Sequence, residues 1–418
     1  MYYRGDTLKE TWKKIAVFLL AIVVIVTSFM AGNYMSIATK NKVTMSREEY
    51  DKLVNGGGNF KNLQPLKELI QNNFLFEIDD NKLEEYVYKG LFQGLEDPYS
   101  VYMNKDEFKS LMESSKGEFA GVGIVVTATD DGFITVVSAI EGTPAYKAGI
   151  KSGDRIIKVG EENFSGEQMD KAVEIMRGKP GTEVKLTLSR DNKDKKNEII
   201  EVKLKREIIT MRTVSSKLLE DNLGYISISQ FDQHTYEEFK KDYLDLKSKG
   251  AKGIVLDLRG NPGGVMSSTV EIADMLLPEG PIVKTVDKYG KESIENSDKK
   301  MEDLPLVVLV NQGSASASEV LTGALRDYDI AKIVGTKTFG KGIVQKIFPL
   351  TKEKENGPGV KLTVSEYFTP KGTKINKKGI EPDYVVELPE NFKGTLGPDN
   401  LKDDIQLQKA IEVIKEKK

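Results

Sequence analysis

The sequence predicts an α/β protein. It has a large domain of alternating strands and helices, a smaller strand-rich unit inserted ahead of it, an N-terminal helical region and a single N-terminal transmembrane helix. Three observations carry this. After about residue 207 the pattern becomes strand–helix–strand, with the continuous apolar runs Gly253 to Leu258 and Leu306 to Val310. Runs of that kind are what parallel strands buried on both faces look like. Between about 119 and 206 the strands alternate with period two, as strands with one buried face do. Near the N-terminus, Ile15 to Ala31 is 17 residues with only Thr27 and Ser28 polar.

That apolar run lies at the lower edge of what spans a bilayer as one helix, and Arg4, Lys9, Lys13 and Lys14 before it place the N-terminus in the cytoplasm. It exceeds a signal-peptide core of about 7–15 residues. An uncleaved anchor is therefore favoured over a signal cleaved near Ser36-Ile37-Ala38. Either way the body is exported, and the expected place is the cell membrane, single-pass, with the body on the extracytoplasmic side. Residues 1–38 form the stub and anchor. Residues 39–59 form a linker ending in Asn55-Gly56-Gly57-Gly58-Asn59, a flexible composition.

Residues 60–112 read as a helical region. Leu63, Leu66, Leu69 and Ile70 fit one face, and Leu83, Tyr86, Val87, Leu91 and Leu95 fit another, with a break at Asp97-Pro98. Residues 113–206 are the strand-rich unit. Gly121 to Val126 and Phe133 to Val137 are joined by the turn Thr129-Asp130-Asp131-Gly132. A helix follows near Gln168 to Arg177, and two more strands flank the charged turn Asp191 to Asn197, a solvated hairpin tip. The large domain spans 207–388. Leu223 to Ser229 is a strand, and Thr235 with Glu238 makes a capping box for a helix reaching Ser248. Further strands are expected at Ile330 to Val334, Ile343 to Pro349 and Val360 to Phe368, with a helix after Glu319. Residues 389–418 end in an amphipathic helix from Leu401.

Composition narrows the chemistry. Among 418 residues there is no cysteine and a single histidine, His234, and the formal net charge is −3. A disulfide framework, a cysteine zinc cage and a cysteine nucleophile are excluded. So is a zinc site built on two or three histidines. A Ser-His-Asp triad survives only with His234 as its base. The near-neutral charge offers no basic field for nucleic acid.

Three segments of the large domain follow predicted strands. In Asp257-Leu258-Arg259-Gly260-Asn261-Pro262-Gly263-Gly264, glycines free backbone N–H groups to approach a substrate oxygen, as an oxyanion hole requires. The plainer reading is a turn rich in Gly and Pro. Asn311-Gln312-Gly313-Ser314-Ala315-Ser316-Ala317-Ser318-Glu319 opens a helix whose N-terminus stabilises negative charge, but it lacks the GxSxG elbow of α/β-hydrolases. Gly335-Thr336-Lys337-Thr338-Phe339-Gly340-Lys341-Gly342 nearly matches the P-loop, yet Gly342 stands where the magnesium-binding Ser or Thr belongs. Ser316 and Lys341 offer another chemistry, because a deprotonated lysine can act as general base for a serine. Free lysine titrates near about 10.4, so this needs a drop of roughly 2–3 units, about 3–4 kcal/mol. Burial near Phe339 and Ile343 can supply it. Taken alone, Lys341 also reads as a surface lysine in a glycine turn.

The order of these segments, with Ser316 and Lys341 25 residues apart, resembles the carboxyl-terminal processing peptidases (tail-specific proteases). Asp97-Pro98-Tyr99-Ser100 with Tyr102 resembles the family's motif before its PDZ domain. Gly121-Val122-Gly123-Ile124 and Arg177-Gly178-Lys179-Pro180-Gly181-Thr182 resemble the PDZ itself. The resemblance implies a crotonase/ClpP-like protease core with an inserted PDZ domain, acting as a serine endopeptidase with Ser316 as nucleophile and Lys341 as general base. Gln345, Glu319 and Asp327, in that order, are the candidates for orienting the lysine. The oxyanion donors implied are the Ala317 N–H and a glycine-turn N–H, with Gly263 ranked first. The turn Gly121 to Ile124 would offer N–H groups to a peptide carboxylate while the peptide adds as a strand.

Expected partners are protein substrates, held by flexible and largely apolar C-terminal tails, and the membrane through the N-terminal helix. No cofactor, metal or nucleic acid is implied. Family analogy and the terminal helices favour a homodimer. His234 is expected to be a surface or capping residue. The alternative function is a non-catalytic PDZ scaffold that binds protein C-termini.

Overall fold

The structure, a computed structural model, describes residues 60–416 apart from 130, 192–197, 353–355, 390, 391 and 393. The expected anchor at 15–31 and linker at 39–59 lie outside the described residues, as does nearly all of the charged turn from Asp191. Among the described residues no helix is long and apolar enough to cross a membrane. The chain divides into two compact units at Leu83 and Glu84.

The first unit holds α1 (Leu63–Asn73) and the start of α2 (Asp80–Gln93). Asp79 Oδ1 accepts the N–H groups of Asn81 and Lys82 at 3.0 and 3.1 Å, which satisfies donors that begin α2. The apolar residues of α1, Leu63, Leu66, Leu69 and Ile70, are exposed.

In the second unit, Asp97-Pro98 turns the chain into β1 (Val101–Met103), a short strand absent from the helical expectation. Next comes α3 (Lys105–Lys116), begun by a full capping box between Asn104 and Glu107 and ended by Gly117 in the left-handed region. β2 (Glu118–Gly121) enters the inserted unit. It contains β3 (Ile124–Ala128), β4 (Ile134–Ala139), α4 (Pro144–Lys147), β5 (Arg155–Val159), β6 (Glu162–Asn163), α5 (Met169–Met176), β7 (Glu183–Arg190) and β8 (Glu198–Lys205). Its antiparallel sheet runs β3-β4-β5-β7-β8, with β6 on β5, over a core of its own that includes Ile134, Val136, Ile156, Leu186 and Leu188. The single strand expected from Gly121 to Val126 is broken at Gly123, which takes φ 83°. β9 (Glu207–Thr210) leaves the unit paired antiparallel with β2, Glu118 opposite Thr210 and Gly121 opposite Glu207. Entrance and exit thus form one ribbon.

The large domain continues with β10 (Val214–Leu218), β11 (Gly224–Ile228), α6 (Thr235–Ser248), β12 (Ile254–Asp257), α7 (Met266–Leu276), β13 (Gly280–Asp287), β14 (Glu292–Ser297), β15 (Leu306–Val310), α8 (Ala317–Asp327), β16 (Ala331–Gly335), β17 (Ile343–Pro349), β18 (Gly359–Phe368), β19 (Tyr384–Val385) and α9 (Ile405–Glu416). Its main sheet runs β10-β11-β12-β15-β16-β19, parallel except at the β10 edge. Ile254, Leu256, Leu306, Val308 and Val310 pack on one face with α6, α7 and α8, through Phe239, Ile272 and Leu321. Val255, Val307 and Leu309 pack on the other with Leu407, Val413 and Ile414 of α9. Burial on both faces is why these runs carry no polar alternation.

The three segments singled out in the sequence leave the C-terminal ends of neighbouring parallel strands, β12, β15 and β16. That end of an open α/β sheet gathers functional loops. A second, antiparallel sheet runs β1-β18-β13-β14, with β17 also on β18, and closes over the same end. One local expectation is corrected. Thr235 and Glu238 form no capping box. Asp232 Oδ1 accepts the His234 and Thr235 N–H groups at 2.8 and 3.0 Å, and Glu238 Oε2 instead takes the Thr213 and Val214 N–H groups at 2.9 and 3.1 Å. The side chain finds its donors on β10, where tertiary pairing brings unpaired backbone within reach.

Candidate active site

Ser316 stands between the end of β15 and the first turn of α8, at φ 55° and ψ −114°. A non-glycine residue in that region costs about 1–3 kcal/mol and persists only when its surroundings hold it. Here they do. Ser314 Oγ donates to the Leu258 carbonyl at 2.8 Å, and Asn311 Oδ1 accepts the Gly260 and Gly313 N–H groups at 2.8 and 2.9 Å. The Ala315 N–H and Ser318 Oγ both donate to the Asn261 carbonyl, at 3.0 and 2.9 Å. Asn261, fully buried, also donates from Nδ2 to the Ile228 carbonyl at 2.9 Å. The glycine turn and the serine loop are therefore stitched into one body.

Glu319 makes the principal link. Its buried carboxylate accepts the Ser316 N–H at 3.0 Å and the Lys341 N–H at 2.8 Å on Oε2, and Thr338 Oγ1 at 2.6 Å and the Gly340 N–H at 2.8 Å on Oε1. One carboxylate thus ties the backbone of the predicted nucleophile to that of the predicted base. The expectation that Glu319 sits at the site holds in position. Its partners, however, are backbone N–H groups and Thr338, and no hydrogen bond joins it to the Lys341 ammonium.

The other two candidates for orienting Lys341 separate cleanly. Gln345 lines the same cavity as Ser316 and Lys341. Its Nε2 donates to Thr363 Oγ1 at 3.2 Å, next to a bulge between Val344 and Gln345. Asp327 ends α8, 11 residues long, where Oδ2 accepts the Lys371 N–H at 2.9 Å. At 1.5 Å per residue that is roughly 16 Å along the helix from the serine, and Asp327 does not line the cavity that Ser316 and Lys341 share.

The Lys341 Nζ lies 4.5 Å from the centre of the Tyr99 ring. Burial pulls the Lys341 amine below the usual lysine range, the Lys361 charge pulls the same way, and Asp97 and Glu319 oppose both. Asp97 belongs to a tight turn. Ser100 Oγ and the Tyr99 N–H donate to it at 2.6 and 3.1 Å, and the Thr363 N–H of β18 donates to Ser100 Oγ at 3.0 Å. Burial acts to raise the Asp97 carboxyl, but these hydrogen bonds and the Lys341 charge outweigh it and hold it below its ordinary value. From β18, the buried Tyr367 hydroxyl donates to the Lys341 carbonyl and reaches the Ser316 side chain. Burial foremost, and then the Glu319 charge, push that phenol well above its ordinary value. It stays a hydrogen-bond donor across the working pH range.

Ser316 and Lys341 open into a cavity of about 460 Å³ walled by Phe231, Met266, Val344 and Ile347. No hydrogen bond joins their side chains. The expected oxyanion donors need one revision. The Ala317 N–H has no partner among the described residues, whereas the Gly263 N–H donates to Asn261 Oδ1 at 2.9 Å. Gly264 bridges to Phe231 through its neighbours, since the Phe231 N–H bonds the Gly263 carbonyl and the Val265 N–H bonds the Phe231 carbonyl. Its own N–H is directed away from that bridge, without a partner among the described residues. Any Cβ there would stand 1.9 Å from the Phe231 carbonyl oxygen, at φ 141°. Gly264→Ala is therefore expected to force the turn off Phe231 and cost about 1–3 kcal/mol. A denaturation midpoint equal to wild type would contradict this.

His234 is half-exposed, its Nε2 3.6 Å from Glu118 Oε1, and it does not line the cavity. In the inserted unit, Gly121, Val122, Gly123 and Ile124 border a cavity of about 210 Å³ with Ile140, Val173 and Met176. The Val122 and Gly123 N–H groups have no partner among the described residues, while their carbonyls accept Ala145 and Ile140 at 2.9 Å. Among the described residues no cluster of His, Asp and Glu is placed to hold a metal.

Sequence reasoning quoted Tyr99, Asp97 and Asn261 inside motifs without giving them roles, and it missed Tyr367 and Lys361. Those two sit on β18, where a lysine and a tyrosine in an alternating strand look like ordinary surface and packing residues.

The chain is similar to known proteins over most of its length. Residues 222–386 match the family model described as Peptidase family S41, residues 135–190 that of a PDZ domain, and residues 22–107 that of the Activating protease CtpB N-terminal domain. A carboxy-terminal-processing protease of Bartonella bacilliformis is 39% identical over 396 residues, covering 90% of this chain and 87% of that protein. The carboxy-terminal processing protease CtpA of Bacillus subtilis is 37% identical over 376 residues, covering 90% and 78%. Among solved structures, a photosystem II D1 C-terminal processing protease aligns at 29% identity and a TM-score of 0.47, covering 84% of this chain and 91% of that one.

Proposed function

The chain belongs to the carboxy-terminal processing proteases of peptidase family S41, and from that premise we propose a membrane-anchored serine endopeptidase in which Ser316 and Lys341 form the catalytic pair. The observation that carries this is the Glu319 carboxylate, bound to the backbone of both residues beside one shared cavity. Ser316 Oγ attacks the scissile carbonyl carbon while its proton passes to Lys341 Nζ. The tetrahedral oxyanion accepts the Ala317 and Gly264 N–H groups. Collapse expels the amine, which takes the proton from Lys341, and leaves an ester on Ser316. Water then attacks the ester, gives a proton to the neutral lysine, and releases the acid as the proton returns to Ser316.

Gln345 is the candidate for orienting Lys341, because its side chain lines the cavity with it. The PDZ domain captures substrate C-terminal tails, its Val122 and Gly123 N–H groups taking the terminal carboxylate and its apolar cavity the last side chain. The parallel sheet between helical layers supports a crotonase/ClpP-like core. The run Ile15 to Ala31, behind basic residues, supports an anchor in the cell membrane with the catalytic body on the extracytoplasmic side. The exposed apolar residues of α1 support a homodimer.

The test is incubation of the full chain, in detergent, with unstructured proteins bearing apolar C-termini, and mass spectrometry of the products. Fragments ending upstream of the tail are expected. His234→Ala should cleave within about twofold of wild type, as surface substitutions away from such features change energies by under about 0.5 kcal/mol. Tails bound but left intact by wild type would instead mark a scaffold.

A further inference from the structure

Lys361 lies on β18, opposite Val101 of β1 and Ile347 of β17. It is half-buried and lines the same cavity as Ser316, Lys341 and Gln345. Two other partly exposed lysines of the large domain hold carboxylates: Lys284 pairs with Glu292 at 2.9 Å and Lys332 with Asp329 at 2.7 Å. The Lys361 side chain makes no ion pair or hydrogen bond among the described residues. An unpaired cation keeps its field, because no counter-charge cancels it.

That field falls on Lys341. The groups facing Lys341 are the Tyr99 ring and Asp97 from the turn before β1, Glu319 from α8, and Tyr367 and Lys361 from β18. Lys377 and Lys378 pack backbone atoms against Gly340, but their side chains are exposed. A ring face and two carboxylates favour the ammonium form. A general base must be the free amine. Against three groups that stabilise the charged lysine stand its burial and the Lys361 cation.

We propose that Lys361 is a positioning residue for the hydrolysis, an unpaired cation in the catalytic cavity that keeps Lys341 available as a proton acceptor. This rests on the Ser316–Lys341 assignment and adds to it. A positive neighbour repels a second positive charge, so removing it makes protonated Lys341 easier to form. The acid limb of the rate profile then moves to higher pH. Arginine keeps the charge at every pH studied and preserves the limb.

The experiment measures kcat/KM against pH for the full chain with dye-labelled casein as probe, comparing wild type, Lys361→Gln, Lys361→Arg and Lys341→Ala. Lys361→Gln is expected to raise the acid-limb midpoint by about one pH unit, an approximately tenfold loss below the wild-type midpoint that shrinks as the pH rises. Lys361→Arg should hold the wild-type midpoint. The proposal is overturned by an unmoved limb in Lys361→Gln, by an equal displacement in Lys361→Arg, or by a loss uniform across pH. A change confined to KM, with the limb in place, also overturns it and assigns Lys361 to substrate contact. Inert wild type, or an active Lys341→Ala, sinks the catalytic pair itself and the proposal with it, and the same assay shows which of the two has failed.

Discussion

Ser316→Ala is expected to lower kcat/KM by about 10⁴- to 10⁶-fold, the range found when a nucleophilic serine is removed and only the oxyanion donors and binding remain. The structure makes the substitution unusually clean. The backbone contacts that hold this position, chiefly the Ser316 N–H to Glu319 Oε2 at 3.0 Å, are kept by alanine, which loses the side-chain contact with Tyr367. Alanine also bears the same left-handed backbone at about the same cost. The loss should therefore fall on the chemical step. Tail binding by the PDZ loop at Val122 and Gly123, which lies on a separate core, should persist with an unchanged Kd. Single-turnover rates and a peptide-binding isotherm measured together decide the matter. A variant that still cleaves at a tenth of the wild-type rate removes Ser316 from the mechanism.

Glu319→Gln is expected to cost about 3–5 kcal/mol of stability and at least about 10²-fold in kcat/KM. The carboxylate accepts four hydrogen bonds, from Ser316, Thr338, Gly340 and Lys341. A glutamine has a single acceptor oxygen, and its NH₂ would be turned on N–H groups that need an acceptor. Hydrogen bonds to a charged group contribute about 1.5–3 kcal/mol each, and a buried donor left unsatisfied costs about 1–3 kcal/mol. Against a total of about 5–15 kcal/mol, the change is large but need not unfold the chain. The rate suffers because Ser316 and Lys341 lose their common anchor, and about an ångström of misplacement can cost a hundredfold. Chemical denaturation and steady-state kinetics test the two halves. A wild-type midpoint would show that the four contacts do not hold the site.

The two outcomes bear on what a sequence can disclose. β12 and β15 were legible because burial on both faces leaves unbroken apolar letters, and β16 was legible despite Lys332 inside it. β10 and β14 were not, since Val214-Ser215-Ser216-Lys217-Leu218 and Glu292 to Ser297 are polar edges made into strands by their neighbours. The helix α7 was hidden because it starts directly after the glycine turn, without a capping signal. Ser316 and Lys341 could be found from motif and spacing, both close to strand ends that the chain itself orders. Tyr367 and Lys361 could not, because β18 reaches the site only through pairings with β1, β13 and β17 set by the whole domain. Glu319 was found for its position and misjudged in its partners. One helical turn predicts nearness to Ser316, but only coordinates show that backbone N–H groups, and not an ammonium, fill the carboxylate. The Thr235–Glu238 expectation failed in the same way, by trusting local spacing where a distant strand offered better donors.

The ribbon of β2 and β9 has a consequence for the modularity of the molecule. The chain departs for the PDZ domain at Glu118 and returns at Thr210, and those residues face each other across one ladder, about 5 Å apart. The chain therefore passes between the large domain and the inserted unit through a doorway no wider than a hairpin. Whatever closes that doorway, whether a PDZ, another binding module or a short turn, imposes the same end-to-end separation on the core. Replacing the inserted unit by another that keeps this separation is therefore expected to leave the residues around Ser316 in place.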